Sequence, residues 1–225
     1  MIEAVGFDFD HTLGVDNKLE RVAFVELAQS IAAAHRVPVD EERAYEAIDY
    51  EIARFRNGKC GLSEALADAF AAVLGKLTPP AADQLFRERA LSMVSQFVQP
   101  FPGVERLLVT LRERNVPHAI LTNGWNPLQQ RKANAVGFRG PVLVSEDLGV
   151  RKPDPDAFRA LAAALETDVG QIAYVGDDPR VDIAGALAAG LQAVWFHWEA
   201  HPYPDDIPQP TEIVHRIGDV LSLLG

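Results

Sequence analysis

Three short apolar runs constrain what this chain can fold into, because each ends abruptly in residues suited to chemistry. Ala4–Phe9 leads into Asp8 and Asp10, His118–Leu121 into Thr122-Asn123-Gly124, and Ile172–Val175 into Gly176-Asp177-Asp178. Runs of this length and composition read as buried strands. Pro141–Ser145 and Leu191–Phe196 fit the same role. Helical patterns lie between them over Val104–Arg114, Asp156–Leu165 and Arg180–Ala189, the last ending at Gly190, a residue that can take the left-handed conformation closing a helix. A final helix is expected after Thr211, with Ile213, Val214, Ile217, Val220 and Leu221 on one face. Strands alternating with helices predict an α/β fold, a mostly parallel sheet covered on both faces.

From about Leu19 to Phe97 the rhythm changes. Leu19–His35, Glu41–Phe55, Leu62–Leu74 and Ala81–Phe97 read as consecutive helices, punctuated by Asn57-Gly58 and Thr78-Pro79-Pro80. A helical block placed after the first strand reads as an inserted all-α cap, residues 17–98, within a catalytic core formed by 1–16 and 99–225.

In a doubly wound sheet, ligands bind beyond the carboxyl ends of the strands. That rule gathers Asp8, Asp10, Thr122, Asn123, Asp177 and Asp178 on one edge, with Lys152 within reach. Acids, a hydroxyl and a lysine are what phosphoryl transfer needs. Magnesium takes carboxylate, phosphate and water oxygens, which Asp8, Asp177 and a main-chain carbonyl near Asp10 could supply. Asp8 could serve as a covalent nucleophile, and Asp10, two residues on, as the acid and base for the leaving alcohol and the water. Thr122, Asn123 and Lys152 would hold the phosphate oxygens.

Taken together these segments resemble the haloacid dehalogenase superfamily. Asp8-Phe9-Asp10-His11-Thr12 is similar to its first motif, Leu121-Thr122-Asn123-Gly124 to its second, Lys152-Pro153-Asp154-Pro155 to its third, and Gly176-Asp177-Asp178-Pro179-Arg180-Val181-Asp182-Ile183 to its acidic fourth. The resemblance implies a Rossmann-like core with a helical cap inserted after the first strand. It also implies Asp8 as nucleophile, Asp10 as acid and base, and Asp177 as metal ligand, with Asp178 or Asp182 supporting the metal through water or by orienting its ligands; we favour Asp182. The acid at Asp10 places the chain with the phosphatases rather than the dehalogenases, whose halide leaving group needs no proton. A phosphomutase on the same fold and a non-catalytic phospho-ligand binder are the alternatives. A signalling receiver domain is disfavoured, since it needs neither a first-strand DxDxT nor a large helical insert.

Other features bound the setting. The net charge of -11 and the lack of a basic tract argue against a nucleic acid polymer as partner. Cys60 is the single cysteine, so no intrachain disulfide can form. The opening residues read as neither signal peptide nor membrane span. The expected picture is a cytoplasmic enzyme, monomer or homodimer, acting on a small phosphorylated metabolite away from any membrane. His197 and His201 sit four apart, but Pro202 and Pro204 point to a loop rather than a ligating helix. Arg54, Arg56 and Lys59 form a basic end of a cap helix, read as solvated unless one meets substrate. Trp125 is a further candidate substrate contact.

Overall fold

The computed structural model describes residues 1–199 and 201–224. The chain divides into two compact units, one formed by 1–15 and 98–225 and the other by 16–97.

The first unit is built on six parallel strands in the order β5-β4-β1-β6-β7-β8. These are β1 (Ala4–Phe7), β4 (His118–Thr122), β5 (Val142–Val144), β6 (Ile172–Gly176), β7 (Gln192–Phe196) and β8 (Glu212–Val214); a separate antiparallel pair joins β2 (Gly14–Val15) to β3 (Gln99–Pro100). β1 lies inside the sheet, and Ala4, Val5 and Phe7 are fully buried. That burial on both faces explains its unbroken apolar run.

The helices of this unit are α5 (Val104–Glu113), α6 (Leu128–Ala135), the short α7 (Ser145–Leu148), α8 (Pro155–Ala164) and α9 (Ala184–Ala189). The Asp154 side chain accepts from the Asp156 N–H at 2.9 Å, and Pro155 occupies the first turn, where its missing donor costs nothing. One core cluster packs Phe158, Leu161, Ile183 and Ala186 against Ala119, Leu121, Ile172, Tyr174 and Ala193 of the sheet. Gly190 ends α9 at φ 88°, as its position predicts.

The segment expected as a final helix instead forms β8 followed by a 3-10 turn over Ile217–Leu223. Thr211 caps no helix; its N–H donates to the Ala193 carbonyl at 2.8 Å and its hydroxyl accepts from the Ala193 N–H at 3.1 Å. The open edge of β7 recruits the β-branched Ile213-Val214 pair as a strand, and that pairing overrides a helical spacing which the same residues also satisfy.

The second unit is all helical: α1 (Leu19–Ala34), α2 (Glu41–Arg56), α3 (Leu62–Leu74) and α4 (Ala82–Phe97), with a 3-10 turn at Gly75–Leu77. Asp40 caps α2 through the Arg43 N–H. Its core includes Phe24, Ile48, Leu66, Phe70 and Phe86, with the Phe24 and Phe70 rings 4.5 Å apart. Arg54 is ion-paired to Glu51 at 2.6 Å and Asp68 at 2.9 Å, and Arg56 to Glu20 at 2.5 Å. Two of the three basic residues singled out in this segment are therefore tied to acids of their own unit. No helix among the described residues is long and apolar enough to cross a membrane.

Candidate active site

Strand register brings the acids together. Phe7 stands opposite Ile120 of β4 and Val175 of β6. Asp8 is one residue beyond that line, and Thr122 and Asp177 are each two beyond it, so the three leave the same edge of the sheet side by side. The Asp8 N–H donates to the Val175 carbonyl at 2.8 Å, which continues the ladder one residue past β1. Among the described residues, one group of acids could hold a cation: carboxylate oxygens of Asp8, Asp177 and Asp182 all lie within 4.8 Å of one another.

Asp182 reaches the site from a π-helical turn, Pro179–Ile183, directly after β6. The approach is possible because residue 176 is glycine, since a Cβ there would overlap the Asp182 carboxylate. Asp178 accepts from the N–H groups of Arg180 and Val181, so its side chain caps the turn. The Asp178 N–H donates to Asp182 Oδ2 at 3.1 Å. On the other side of the group, the Trp195 indole N–H donates to the Asp177 carbonyl at 2.9 Å.

Lys152 organises the centre. Its Nζ donates to Asp8 Oδ1 at 2.6 Å, Asp182 Oδ1 at 2.7 Å and the Tyr174 hydroxyl at 2.9 Å. The Tyr174 hydroxyl in turn donates to the Leu121 carbonyl at 2.8 Å. The three hydrogens of the ammonium thus have three oxygen partners, as a charge only 3% exposed requires. Asn123 fixes the lysine's backbone, donating to the Lys152 carbonyl at 2.8 Å and accepting from the Lys152 N–H at 2.9 Å. The side-chain amide of Asn123 is thereby engaged with Lys152; Thr122 is buried at the end of β4.

Burial dominates the electrostatics, and the crowded acids add to it. Burial raises Asp8 to about 7, with Asp182 and Asp10 adding repulsion and Lys152 opposing them. Burial likewise raises Asp177 to about 9, and the Asp182 and Asp8 carboxylates push in the same direction. Burial also raises Asp182. For Lys152 burial acts downward, but Asp182 and Asp8 outweigh it and hold the ammonium well above its ordinary range. One cation among several desolvated acids leaves negative charge uncompensated, which is the donor set and charge a hard divalent cation fits.

Asp10 stands at the rim, its side chain 22% exposed, ion-paired with the fully buried Lys132 of α6. Tyr174 and Lys132 are the residues that reading the sequence did not single out. Trp125 is only 1% exposed. His197, His201 and His215 bring their rings together beside Trp195, and His197 and His201 lie outside any helix. Burial raises the Cys60 thiol, which suits a bystander better than a nucleophile.

Known proteins resemble this chain in sequence and fold. A family model described as "haloacid dehalogenase-like hydrolase" matches residues 2–190. The phosphoserine phosphatase of Thermus thermophilus is 37% identical over 142 residues, covering 62% of this chain but 53% of that protein. The glyceraldehyde 3-phosphate phosphatase of Methanopyrus kandleri is 28% identical over 98% of this chain and 99% of its own. Among solved structures, a 2-haloacid dehalogenase from Pseudomonas syringae pv. Tomato superposes with a TM-score of 0.73 at 29% identity, covering 100% of this chain and 98% of that one. The magnesium-bound HAD-hydrolase YfnB of Bacillus subtilis gives the same score at 21% identity, covering 100% and 99%, and shares the fold. Ordered motifs, sheet topology and the acid edge agree with a match over most of the length: the chain belongs to the haloacid dehalogenase-like hydrolases.

Proposed function

We propose that the chain is a magnesium-dependent phosphomonoesterase that acts on a small phosphorylated metabolite through an aspartyl-phosphate on Asp8. The observation that carries the reading is the Lys152 ammonium held between Asp8 and Asp182 beside Asp177, with Asp10 two residues from Asp8. Lys152 holds Asp8 in one orientation through Oδ1. Asp8 attacks phosphorus as the P–O bond to the alcohol breaks, and Asp10 gives the departing oxygen its proton. In the second half Asp10 takes a proton from the water that cleaves the aspartyl-phosphate. Thr122 would hold a phosphate oxygen, Lys152, its three hydrogens already engaged, would offset the phosphate charge, and Asn123 serves by tying Lys152 to the end of β4. Both oxygens of Asp182 are already engaged, one by Lys152 and one by the Asp178 N–H, which supports a role in orienting the site over direct ligation. Asp8, Asp177 and the main chain at Asp10 would then hold magnesium. When bound, the ion would offset the negative charge that otherwise repels an attacking carboxylate. The helical unit, as a cap, would supply substrate selectivity.

The dehalogenase relative raises a second reading, that the ester of Asp8 forms by displacing halide. Asp10 favours the phosphatase, because halide leaves without a proton. The deciding experiment offers the protein a panel of alkyl phosphates and sugar phosphates, and 2-haloacids, each with magnesium and with chelator. Phosphate release that chelator abolishes is the expected result. Halide release without phosphate release would overturn the proposal, and an isomerised sugar phosphate in place of free phosphate would identify a mutase.

The raised carboxyls add a stability signature. A group whose folded value lies above its unfolded one contributes stability that is complete at low pH and is lost as pH rises through the folded value. For Asp8 and Asp177, with folded values of about 7 and about 9, the loss in metal-free protein runs from about pH 4 to about pH 9. A cation replaces those protons and removes the repulsion. Magnesium at about 100 times its dissociation constant stabilises by about 2.7 kcal/mol, or roughly 5–10 °C in a chain of this size. At a fixed magnesium concentration, the rise in melting temperature should be clearly greater at pH 8 than at pH 5. Equal increments would separate the cation from this carboxyl cluster.

A further inference from the structure

Among the described residues, Lys132 is the buried charged side chain of the core unit that the proposed chemistry leaves unused. It sits on α6, is 0% exposed, donates from Nζ to Asp10 Oδ1, and holds that Nζ 5.1 Å from the centre of the Phe9 ring. Burying an ammonium costs several kcal/mol unless its geometry and partners compensate. Lys152 already supplies the cation for Asp8 and Asp182, so Lys132 is not needed to balance them. It grips instead the partly exposed carboxylate placed to handle the substrate proton.

The geometry points to Lys132 as the positioning residue of Asp10: it grips Oδ1 from the interior side and fixes the orientation in which this carboxyl meets the leaving oxygen. This inference rests on the phosphatase reading proposed above. An aspartate three residues past a strand end, just before a turn, has rotation about its side-chain bonds unless something holds it. The α6 helix follows the Thr122-Asn123-Gly124 segment, so an anchor on it ties the proton donor to the part of the core that bears the phosphate-binding residues. Phe9, between the two aspartates, stands beside the ammonium and leaves it little freedom to follow a moving carboxylate. As the bond from phosphorus to the alcohol oxygen breaks and the bond to Asp8 forms, the proton passes from Asp10 to that oxygen. A carboxyl turned away by about an ångström loses that transfer.

The test uses leaving groups. The value of kcat/KM reports the steps up to release of the alcohol, so it excludes the later hydrolysis of the aspartyl-phosphate. An alkyl alcohol needs the proton and p-nitrophenolate does not. Lys132→Met should lower kcat/KM about 100-fold for the best alkyl phosphate of the panel but less than about 3-fold for p-nitrophenyl phosphate. Asp10→Asn should show the same selectivity, and adding Lys132→Met to it should cost no more than a further ~2-fold, since the two residues would act as one unit. Lys132→Gln keeps a donor, one bond shorter, and should recover part of the alkyl-phosphate loss; it also stands in should the methionine variant not fold. Equal losses on both substrates, or losses that multiply with Asp10→Asn, would assign Lys132 a structural role only and overturn the inference. Failure of the underlying reading would show elsewhere, as native protein without phosphatase activity or as an active Asp8→Asn variant.

Discussion

Asp8→Asn should abolish phosphate release, by at least ~10⁴-fold, while leaving a folded protein. Asparagine keeps the shape of the side chain and its carbonyl can still accept from Lys152, but it has no anionic oxygen to attack phosphorus. The nucleophile sits where the structure is electrostatically uncomfortable: only 7% exposed, with burial and neighbouring acids raising it to about 7. Removing one of several crowded carboxylates relieves that repulsion, so the metal-free variant should melt no lower than the native protein at pH 8. An active site that carries such strain for function is a common source of this trade. The measurement pairs phosphate release with a thermal melt, and adds mass spectrometry of acid-quenched enzyme for the phosphorylated intermediate. Native protein should show it and the variant should not. An active Asp8→Asn protein would end the covalent mechanism, whereas joint loss of activity and fold would reduce Asp8 to a structural residue.

Much of this site was legible because it depends on strand ends. Short apolar runs that break into Asp or Thr identify both a buried strand and the polar edge beyond it, and parallel register does the rest without further specification. The residues that stayed hidden did so for particular reasons. Tyr174 lies within an apolar run and reads as core, and nothing local shows that its hydroxyl joins Lys152 to the Leu121 carbonyl. Lys132 meets a partner 122 positions away from a short polar helix, Leu-Gln-Gln-Arg-Lys-Ala-Asn-Ala, with no apolar stripe to announce it. In sequence Asn123 reads as a phosphate ligand, whereas its amide makes paired bonds with the Lys152 main chain, a contact across 29 residues. The segment after Thr211 failed in the opposite way: its helical spacing is genuine, but the free edge of β7 gives Ile213 and Val214 a better partner than a helix would. Periodicity reports which residues want burial, and long-range pairing decides how they obtain it.

Lys152→Met should be the most damaging single change to the core, costing both activity and stability. Lys152 is 3% exposed and Asp182 1%, and methionine fills much of the same volume while donating to nothing. Asp8, Asp182 and the Tyr174 hydroxyl would all lose one partner at once. Breaking a buried ion pair from one side costs about 3–5 kcal/mol, or roughly 6–20 °C in melting temperature for a chain of this length. The acids can limit that cost by taking up protons, which gives the effect its pH signature. Without the cation, burial and mutual repulsion move Asp8 and Asp182 still further upward, so at pH 5 they fold as neutral acids and at pH 9 they must fold against their own charge. The deficit relative to native protein should therefore grow from pH 5 to pH 9, and Asp182→Asn added to Lys152→Met should recover part of it at the higher pH. Activity should fall ~10³-fold or more, because a protonated Asp8 is no nucleophile and the cation that would offset the phosphate charge is gone. Melting curves at the two pH values decide the matter. A deficit independent of pH would mean that Lys152 matters through packing, and the proposed charge balance of the site would have to be abandoned.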